Sequence, residues 1–328
     1  MRVILNTCTD PYFNLASEEH LLECGRGDAF MIWRNEKSVI IGKNQNAYGE
    51  VDRSFCEKNN IKVVRRLTGG GAVFHDPGNI NFSFVTDSNE EGIDFLPYIS
   101  KIIEALSHFG VTAEANGRND IEAGGLKISG NAQCHHSCAD GRKRLLHHGT
   151  LLFSADMTAL SGALAVSVDK MESKGIKSVR SRVANIRDIE GYTGPDDAFG
   201  FARELCRLCA GVYAEDFSEE EKREIEKLAS DKYSTWEWNY GTGPKFSKKV
   251  CGRFPWGGIE ISYSARKGII EDVKISGDFF AVGDITLLEE KLKGTSLKAE
   301  ELRSALLDVV KYIHGAVGEE IADLMQEG

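Results

Sequence analysis

Three consecutive glycines, set between paired arginines and a histidine, restrict this chain more than any other feature: Arg65-Arg66-Leu67-Thr68-Gly69-Gly70-Gly71-Ala72-Val73-Phe74-His75-Asp76. Without Cβ atoms to block a close approach, the backbone N–H groups of such a loop can converge on a negatively charged ligand. The flanks read as strands, over 61–67 before the loop and over 72–74 and 79–85 after it. A glycine-rich loop between strands is not the strand-to-helix phosphate loop. The GxxxxGK[ST] spacing is absent, and so is the G-x-G-x-x-G dinucleotide fingerprint. Alone, the loop predicts anion binding and no particular reaction, with a flexible hairpin as the plainer alternative.

Three later segments narrow the choice. The run Gly117-Arg118-Asn119-Asp120-Ile121 precedes Gly124-Gly125-Leu126-Lys127-Ile128-Ser129-Gly130-Asn131-Ala132. Period-2 alternation puts Leu126 and Ile128 on one strand face and Lys127 and Ser129 on the other, so Lys127 is expected to project into a cleft. Most lysines are solvated surface residues. Lys127 is the better candidate because small residues surround it, with Arg118, Asn119 and Asp120 just upstream. His147-His148-Gly149-Thr150-Leu151-Leu152-Phe153 reads as a strand that starts polar. Lys174-Gly175-Ile176-Lys177-Ser178-Val179-Arg180-Ser181-Arg182-Val183-Ala184-Asn185 is a basic loop in an otherwise acidic chain.

In this order the segments resemble the lipoate–protein ligases, ATP-dependent enzymes of the biotin/lipoate ligase superfamily that attach lipoic acid to lipoyl domains. The resemblance begins at Pro11-Tyr12-Phe13-Asn14-Leu15-Ala16 and runs through Ile32-Trp33-Arg34-Asn35 and Ile40-Ile41-Gly42. It continues through the glycine triplet, GRND, KISGNA, HHGTLLF and KGIKSVRSRVAN to Trp236-Glu237-Trp238-Asn239-Tyr240, and so covers nearly the whole chain. It implies an α+β, class II synthetase-like catalytic domain with a mixed, largely antiparallel sheet flanked by helices, and a small α+β accessory domain.

The implied chemistry sets physical demands. A carboxylate acylates poorly because its leaving group is an oxide, so ATP converts lipoate to a mixed anhydride with AMP and releases pyrophosphate. Two anions must then meet in line, which requires positive charge and oriented N–H groups where negative charge accumulates. Lys127 fits the catalytic role, bridging the carboxylate and α-phosphate oxygens. By resemblance Arg66, Gly69, Gly70, Gly71, Ala72, Val73, Phe74 and Lys127 match ATP and lipoate contacts, and His75 lines the lipoyl pocket with Leu15, Ala16 and Val73. A lipoate carboxylate needs no deprotonation at neutral pH, so His75 is not expected to act as a general base. Asn119 and Asp120 read as Mg²⁺ ligands or as partners of Lys127, with a simple turn residue as the alternative for Asp120. His148 and Thr150 correspond to adenylate contacts, and Lys177, Arg180 and Arg182 to the adenylate-binding loop. The implied partners are apo lipoyl domains of 2-oxo acid dehydrogenase E2 subunits or the glycine-cleavage H protein.

Two rival functions share this pattern. One is an octanoyl transferase that uses a cysteine nucleophile and no ATP, with Cys134 or Cys138 as the cysteine to suspect. The other is a non-catalytic binder of lipoyl proteins. The basic loop and accessory domain favour the ligase over the first; Arg66, the glycines and Lys127 favour it over the second.

Composition excludes more than it selects. A formal net charge of −10 over 328 residues speaks against nucleic acid as the main partner. No apolar window reaches ~18 residues, and the first residues lack a signal-peptide pattern, so a cytoplasmic protein is expected. The sequence leaves oligomeric state open, with a monomer expected. Eight cysteines in a chain this long read as reduced thiols. Cys134-His135-His136-Ser137-Cys138 crowds four zinc-type ligands into five residues, too tightly for all four to converge. It reads as a solvated loop in a hairpin turn, with adventitious metal binding as the lesser alternative. Cys206 and Cys209 read as a buried thiol pair on an amphipathic helix.

The same periodicities predict helices over 14–24, closed by Gly25, over 97–109, and from a capping box at Ser218-Glu219-Glu220-Glu221 through Leu228. Gly241-Thr242-Gly243-Pro244 is the best linker, dividing a catalytic domain (1–243) from an accessory one (244–328). The latter is expected to hold a hairpin over 257–275 and helices over 285–293 and 298–314.

Overall fold

Successive side chains on a strand point to opposite faces, so one alternating strand can feed two cores. The computed structural model describes residues 1–45, 47–51, 53–88, 92–116, 119–156, 183–211, 214–240, 248–266 and 268–327. In chain order the first elements are β1 (Arg2–Leu5), α1 (Pro11–Glu23), β2 (Ala29–Trp33), β3 (Ser38–Ile41), α2 (Ala47–Glu50), α3 (Arg53–Lys58), β4 (Lys62–Arg65), β5 (Val73–His75) and β6 (Asn79–Asp87). Then come α4 (Leu96–Ser107), β7 (Ala113–Asn116), β8 (Asp120–Ala123), β9 (Leu126–Ser137) and β10 (Lys143–Leu152). Further on lie α5 (Ala198–Ala210), α6 (Glu219–Leu228) and α7 (Trp236–Asn239). The C-terminal part holds β11 (Lys248–Phe254), β12 (Gly257–Arg266), β13 (Ile269–Gly277), α8 (Ile285–Leu292), α9 (Ala299–Leu306) and α10 (Gly318–Glu327).

The main sheet runs β1-β2-β6-β10-β9-β8-β7, antiparallel except for the parallel β1–β2 pair. On one face Phe30, Ile32, Phe82 and Phe84 pack beneath α4 and α5. On the other, Ala29, Met31, Trp33, Val85 and Leu146 meet Leu15, Ala16, Leu21 and Leu22 of α1. The small sheet β4-β3-β5 adds Ile40 and Val64 to this second core. The strands β11-β12-β13 and the last helices build a separate core around Ile261, Phe279, Leu302 and Ile321. The architecture is α+β.

Several local expectations change. Helix α1 starts at Pro11, because Asp10 accepts from the Tyr12 N–H and proline tolerates the first turn. Gly25 does not close it in a left-handed conformation; Cys24 is the C-cap, and a Cβ at Gly25 would stand 2.4 Å from the Leu21 carbonyl oxygen. The capping box at Ser218 and Glu221 is present. The helix expected over 298–314 ends at Leu306 and gives way to a 3₁₀ turn at Val309–Lys311. Strand β11 and helix α10 were not anticipated. The Cys134–Cys138 segment is no solvated loop: Cys134 to Ser137 belong to β9, paired with β10, and only the turn after them is free of the ladder. The Gly241–Pro244 linker lies outside the described residues, as do Lys177, Arg180 and Arg182.

Candidate functional site

The glycine loop is folded around one guanidinium. Arg66 is buried, and its Nε donates to Thr68 Oγ1 (2.9 Å), Nη1 to the Ile40 carbonyl (3.1 Å), and Nη2 to the carbonyls of Gly69 (2.6 Å) and Gly71 (2.9 Å). Burial lowers its pKa to about 10, which still leaves it charged at neutral pH. Arg66 therefore shapes the loop from within. Gly70 takes φ +89°, open to glycine and strained for other residues, and its N–H donates to the Phe279 carbonyl (3.3 Å). A Cβ on Gly69 would lie 2.4 Å from that same carbonyl oxygen, whereas one on Gly71 would meet nothing nearer than Asp278 Oδ2 at 4.0 Å. The first two glycines thus answer to the C-terminal part of the chain; the third leaves room.

Arg65, which the sequence reading passed over, ties the loop to the Trp236–Asn239 turn. Its guanidinium donates to the carbonyls of Trp238 (3.0 Å) and Asn239 (2.8 Å), and to those of Gly42, Lys43 and Gln45. Trp238 Nε1 returns a bond to the Arg65 carbonyl (2.9 Å). The two motifs at the ends of the large core are in direct contact.

From Thr68 a buried polar chain crosses to the main sheet. Thr68 Oγ1 lies 2.8 Å from His148 Nε2, and His148 Nδ1 lies 2.8 Å from Glu18 Oε1. Ser83 donates to the same Glu18 oxygen (2.6 Å) and accepts from Trp33 Nε1 (2.8 Å). A carboxylate only accepts, so a ring proton sits on Nδ1 toward Glu18, and a neutral ring then takes the Thr68 hydroxyl hydrogen at Nε2. His148 is consequently a buried link between loop and helix. Glu18 was also missed; it stands three residues after Leu15 and four before Leu22, an acid in phase with the apolar stripe of α1.

Two residues along β10 from His148, Thr150 Oγ1 accepts from the Gly130 N–H (3.2 Å). That step is ~6.7 Å along the strand and returns to the same face. Lys127 lies over this spot: a Cβ on Gly130 would meet its Nζ at 3.2 Å and Cε at 3.3 Å. Here simple alternation fails. The β8–β9 register pairs Ile121 with Ser129 but Glu122 with Lys127, so Ile128 is an extra residue. This bulge turns Lys127 onto the Gly130 face, away from that of Ser129. Nζ pairs with Asp120 Oδ1 at 2.7 Å, both side chains about one-third exposed. The Asn119 amide is turned to the Asn131 carbonyl (2.6 Å), holding the start of β8 to β9. Val183 forms a parallel bridge with Lys127, and the Ala184 N–H donates to the Lys127 carbonyl (3.0 Å). Arg182 lies outside the described residues.

Leu15, Ala16 and Val73 share the second core. His75 is buried, with its ring 6.1 Å from Trp33 and Nδ1 3.0 Å from Asn35 Nδ2. Its Nε2 has no hydrogen-bond partner, and burial lowers its pKa to about 3. Phe74 and Ala72 point elsewhere, into a cluster with Val39 and Ile41 behind the small sheet, so Phe74 contributes only backbone here. Asn14 joins the first two motifs, its amide donating to the carbonyls of Cys8 and Arg34 and to Asn35 Oδ1. A cavity of about 230 Å³ opens beside Asp120, between Phe95, Ile99, Asn116 and His314.

Residues 10–199 match the model of the lipoyl protein ligase A/B catalytic domain, more than half of the chain. The chain belongs to that family. Residues 243–325 match the bacterial lipoate protein ligase C-terminus. Lipoate–protein ligase 1 of Staphylococcus aureus is 40% identical over 98% of both chains. A bipartite lipoate protein ligase from Thermoplasma acidophilum, solved in a study of an archaeal lipoylation system with its E2 lipoyl domain, is 30% identical (TM-score 0.61, 76% of this chain and 100% of that one). A lipoate–protein ligase A bound with ATP is 29% identical (TM-score 0.59, 73% and 98%). Within the family, a cysteine-nucleophile mechanism suits this member poorly. Cys134 is half-buried, and desolvation pushes its thiol up to about 12; Cys138 is buried and donates to the Leu22 carbonyl. Among the described residues no helix is long and apolar enough to cross a membrane.

Proposed function

We propose that this chain activates lipoate with ATP and transfers the lipoyl group to a lysine of apo lipoyl domains. The observation that carries the reading is the placement of Lys127: paired with Asp120, above Gly130, on the sheet face linked through Thr150 and His148 to the glycine loop. In the first half-reaction the lipoate carboxylate attacks the α-phosphorus and pyrophosphate leaves. Lys127 neutralises charge on both reacting oxyanions, while Gly71 to Val73 and the backbone of Phe74 face the nucleotide. Gly69 and Gly70, expected as contacts, instead seat the loop against Phe279 and Phe280. Arg66, His148 and Thr150 act as positioning residues that hold the loop and the floor beneath Lys127. The lipoyl tail lies against Leu15, Ala16, Val73 and His75. In the second half-reaction the acceptor amine attacks the anhydride carbonyl, Lys127 stabilises the oxyanion, and AMP leaves.

Asp120 fits a Mg²⁺ site of the phosphate-dominated kind, because one oxygen holds Lys127 and the second remains for a hard cation. Bound there, Mg²⁺ would neutralise polyphosphate charge. Arg182 belongs to the same proposal, as an adenylate contact. So do the division into a catalytic part (1–243) and an accessory part (244–328), a monomeric cytoplasmic enzyme, and acceptors among E2 lipoyl domains or the glycine-cleavage H protein.

Incubation with ATP, Mg²⁺, lipoate and an apo lipoyl domain, read by intact mass, is expected to show one lipoyl addition, with lipoate-dependent pyrophosphate exchange. Lys127→Ala should lower both by ~10²–10³-fold while stability moves by under ~0.5 kcal/mol, since its ion pair is partly solvated. Acyl transfer without ATP would establish the transferase instead. Binding of a lipoyl domain with no lipoyl-AMP formed would establish the binder.

A further inference from the structure

Away from the loop and Lys127, the C-terminal end of α1 meets the β9–β10 turn through an unusual set of side chains. Glu23 from α1, His136 from β9 and Cys138 from the turn bring a carboxylate oxygen, a ring nitrogen and a sulfur within 4.8 Å of one another. We propose that these three residues form a binding site for a zinc-class divalent cation, with water as the fourth ligand. Tetrahedral zinc ligands at ~2.0–2.3 Å from the metal stand ~3.3–3.7 Å apart, so side-chain adjustments of about 1 Å close the site.

The surroundings are built for it. His136 Nε2 is already hydrogen-bonded to Glu23 Oε1, and the Ala139 N–H donates to the other carboxylate oxygen (3.2 Å), which orients the ligand from outside. The turn itself is fixed: the Cys138 N–H donates to the Arg142 carbonyl (2.9 Å), and Gly141 takes φ +87°. Arg142 donates to the carbonyls of Glu23 (2.8 Å) and Gly25 (2.7 Å), tying the turn to the helix end. Cys138 Sγ is buried, whereas the side chains of His136 and Glu23 are 26% and 32% exposed, leaving a solvent-facing side for the water. On binding, the Cys138 thiol proton leaves to solvent and the His136 ring carries its proton on Nδ1. The ion would staple α1, which carries Leu15, Ala16 and Glu18, to the hairpin that carries His148.

A second group joins His20 and Cys24 at the end of α1 to Glu224 of α6, but its Cys24 and Glu224 are both exposed, so no buried sulfur faces the site. It provides the control. Chelator-treated full-length protein is titrated with Zn²⁺ by calorimetry and with Co²⁺ by absorption. Expected are one equivalent per chain, a sulfur-to-cobalt charge-transfer band, and a thermal midpoint that rises with Zn²⁺. Glu23→Gln and His136→Asn, which leave Cys138 buried, should each weaken binding at least tenfold; Cys138→Ser should abolish the charge-transfer band. The double variant His20→Asn/Cys24→Ser should bind as the parent does. Binding below one-tenth of an equivalent, no charge-transfer band, or loss confined to the His20/Cys24 variant would overturn the proposal.

Discussion

His75 sits between Asn35 and Trp33 with one ring nitrogen unpartnered, and His147 is stacked against Tyr98 and Phe82 with neither nitrogen bonded. Burial lowers the first to a pKa of about 3 and the second well below its ordinary value. The unfolded chain binds these protons near pH 6.5, before the folded chain does. Their contribution to stability is thus intact above ~6.5 and lost as pH falls toward the folded values, at about 1.4 kcal/mol per pH unit for each. Urea midpoints measured from pH 7.5 to 5 should fall accordingly, and His75→Gln should flatten the slope; a parent midpoint constant over that range would contradict it. Glu18 is a further buried ionisable group at the site. Glu18→Ala leaves the Ser83 hydroxyl and the His148 ring proton without their acceptor and removes the carboxylate that faces buried Arg66. A loss of about 3 kcal/mol in urea unfolding is expected, and less for Glu18→Gln, which keeps one acceptor oxygen.

At the scale of elements, one inserted residue decides the chemistry. Without the bulge at Ile128, β9 would turn Lys127 toward the face of Ser129, which is fully buried. Gly130 supplies the space that the redirected side chain fills. Gly130→Ala would press on Nζ and Cε, the flexible end of the lysine, and shift the amine by a few tenths of an ångström. Ligation should drop by about tenfold with little change in thermal midpoint; unchanged turnover would show that the amine tolerates displacement. This element marks where sequence reading ends. The glycine triplet, Lys127, Asp120 and the Ser218 capping box were legible because each is a local signal at a fixed spacing. The bulge was not, since period-2 logic assumes an unbroken register and only the pairing with Ile121 reveals the slip. Nor was the inward turn of Arg66, whose partners are carbonyls and carry no side-chain signature. Glu18 was readable in principle, as an acid in an apolar phase. The Cys134–Cys138 run was misjudged because strand pairing with β10, a long-range fact, overrode its polar composition.

The molecule as a whole is joined through two adjacent phenylalanines that serve different cores. Phe279 packs with Ile261 and Leu302 in the C-terminal core, while Phe280 enters the first core of the main sheet, 5.3 Å from Phe95. Their backbone meets the glycine loop, where Gly70 donates to the Phe279 carbonyl, and Gly277 donates to the Asn44 carbonyl (2.7 Å). The loop that faces the nucleotide in the proposed reaction is thereby also the seat of the C-terminal part. Phe280→Ala would remove a fully buried ring from the contact, at a cost of about 3–5 kcal/mol, and leave the C-terminal core with all of its own side chains. Each part would then retain a core but lose much of the coupling between them, so calorimetry should resolve two unfolding transitions where the parent shows one. Phe279→Ala instead empties the C-terminal core and should lower the transition of that part first, with the main-sheet transition unmoved. A single, uniformly lowered transition in both variants would mean that the two cores melt as one unit and that the Phe280 contact does not couple them.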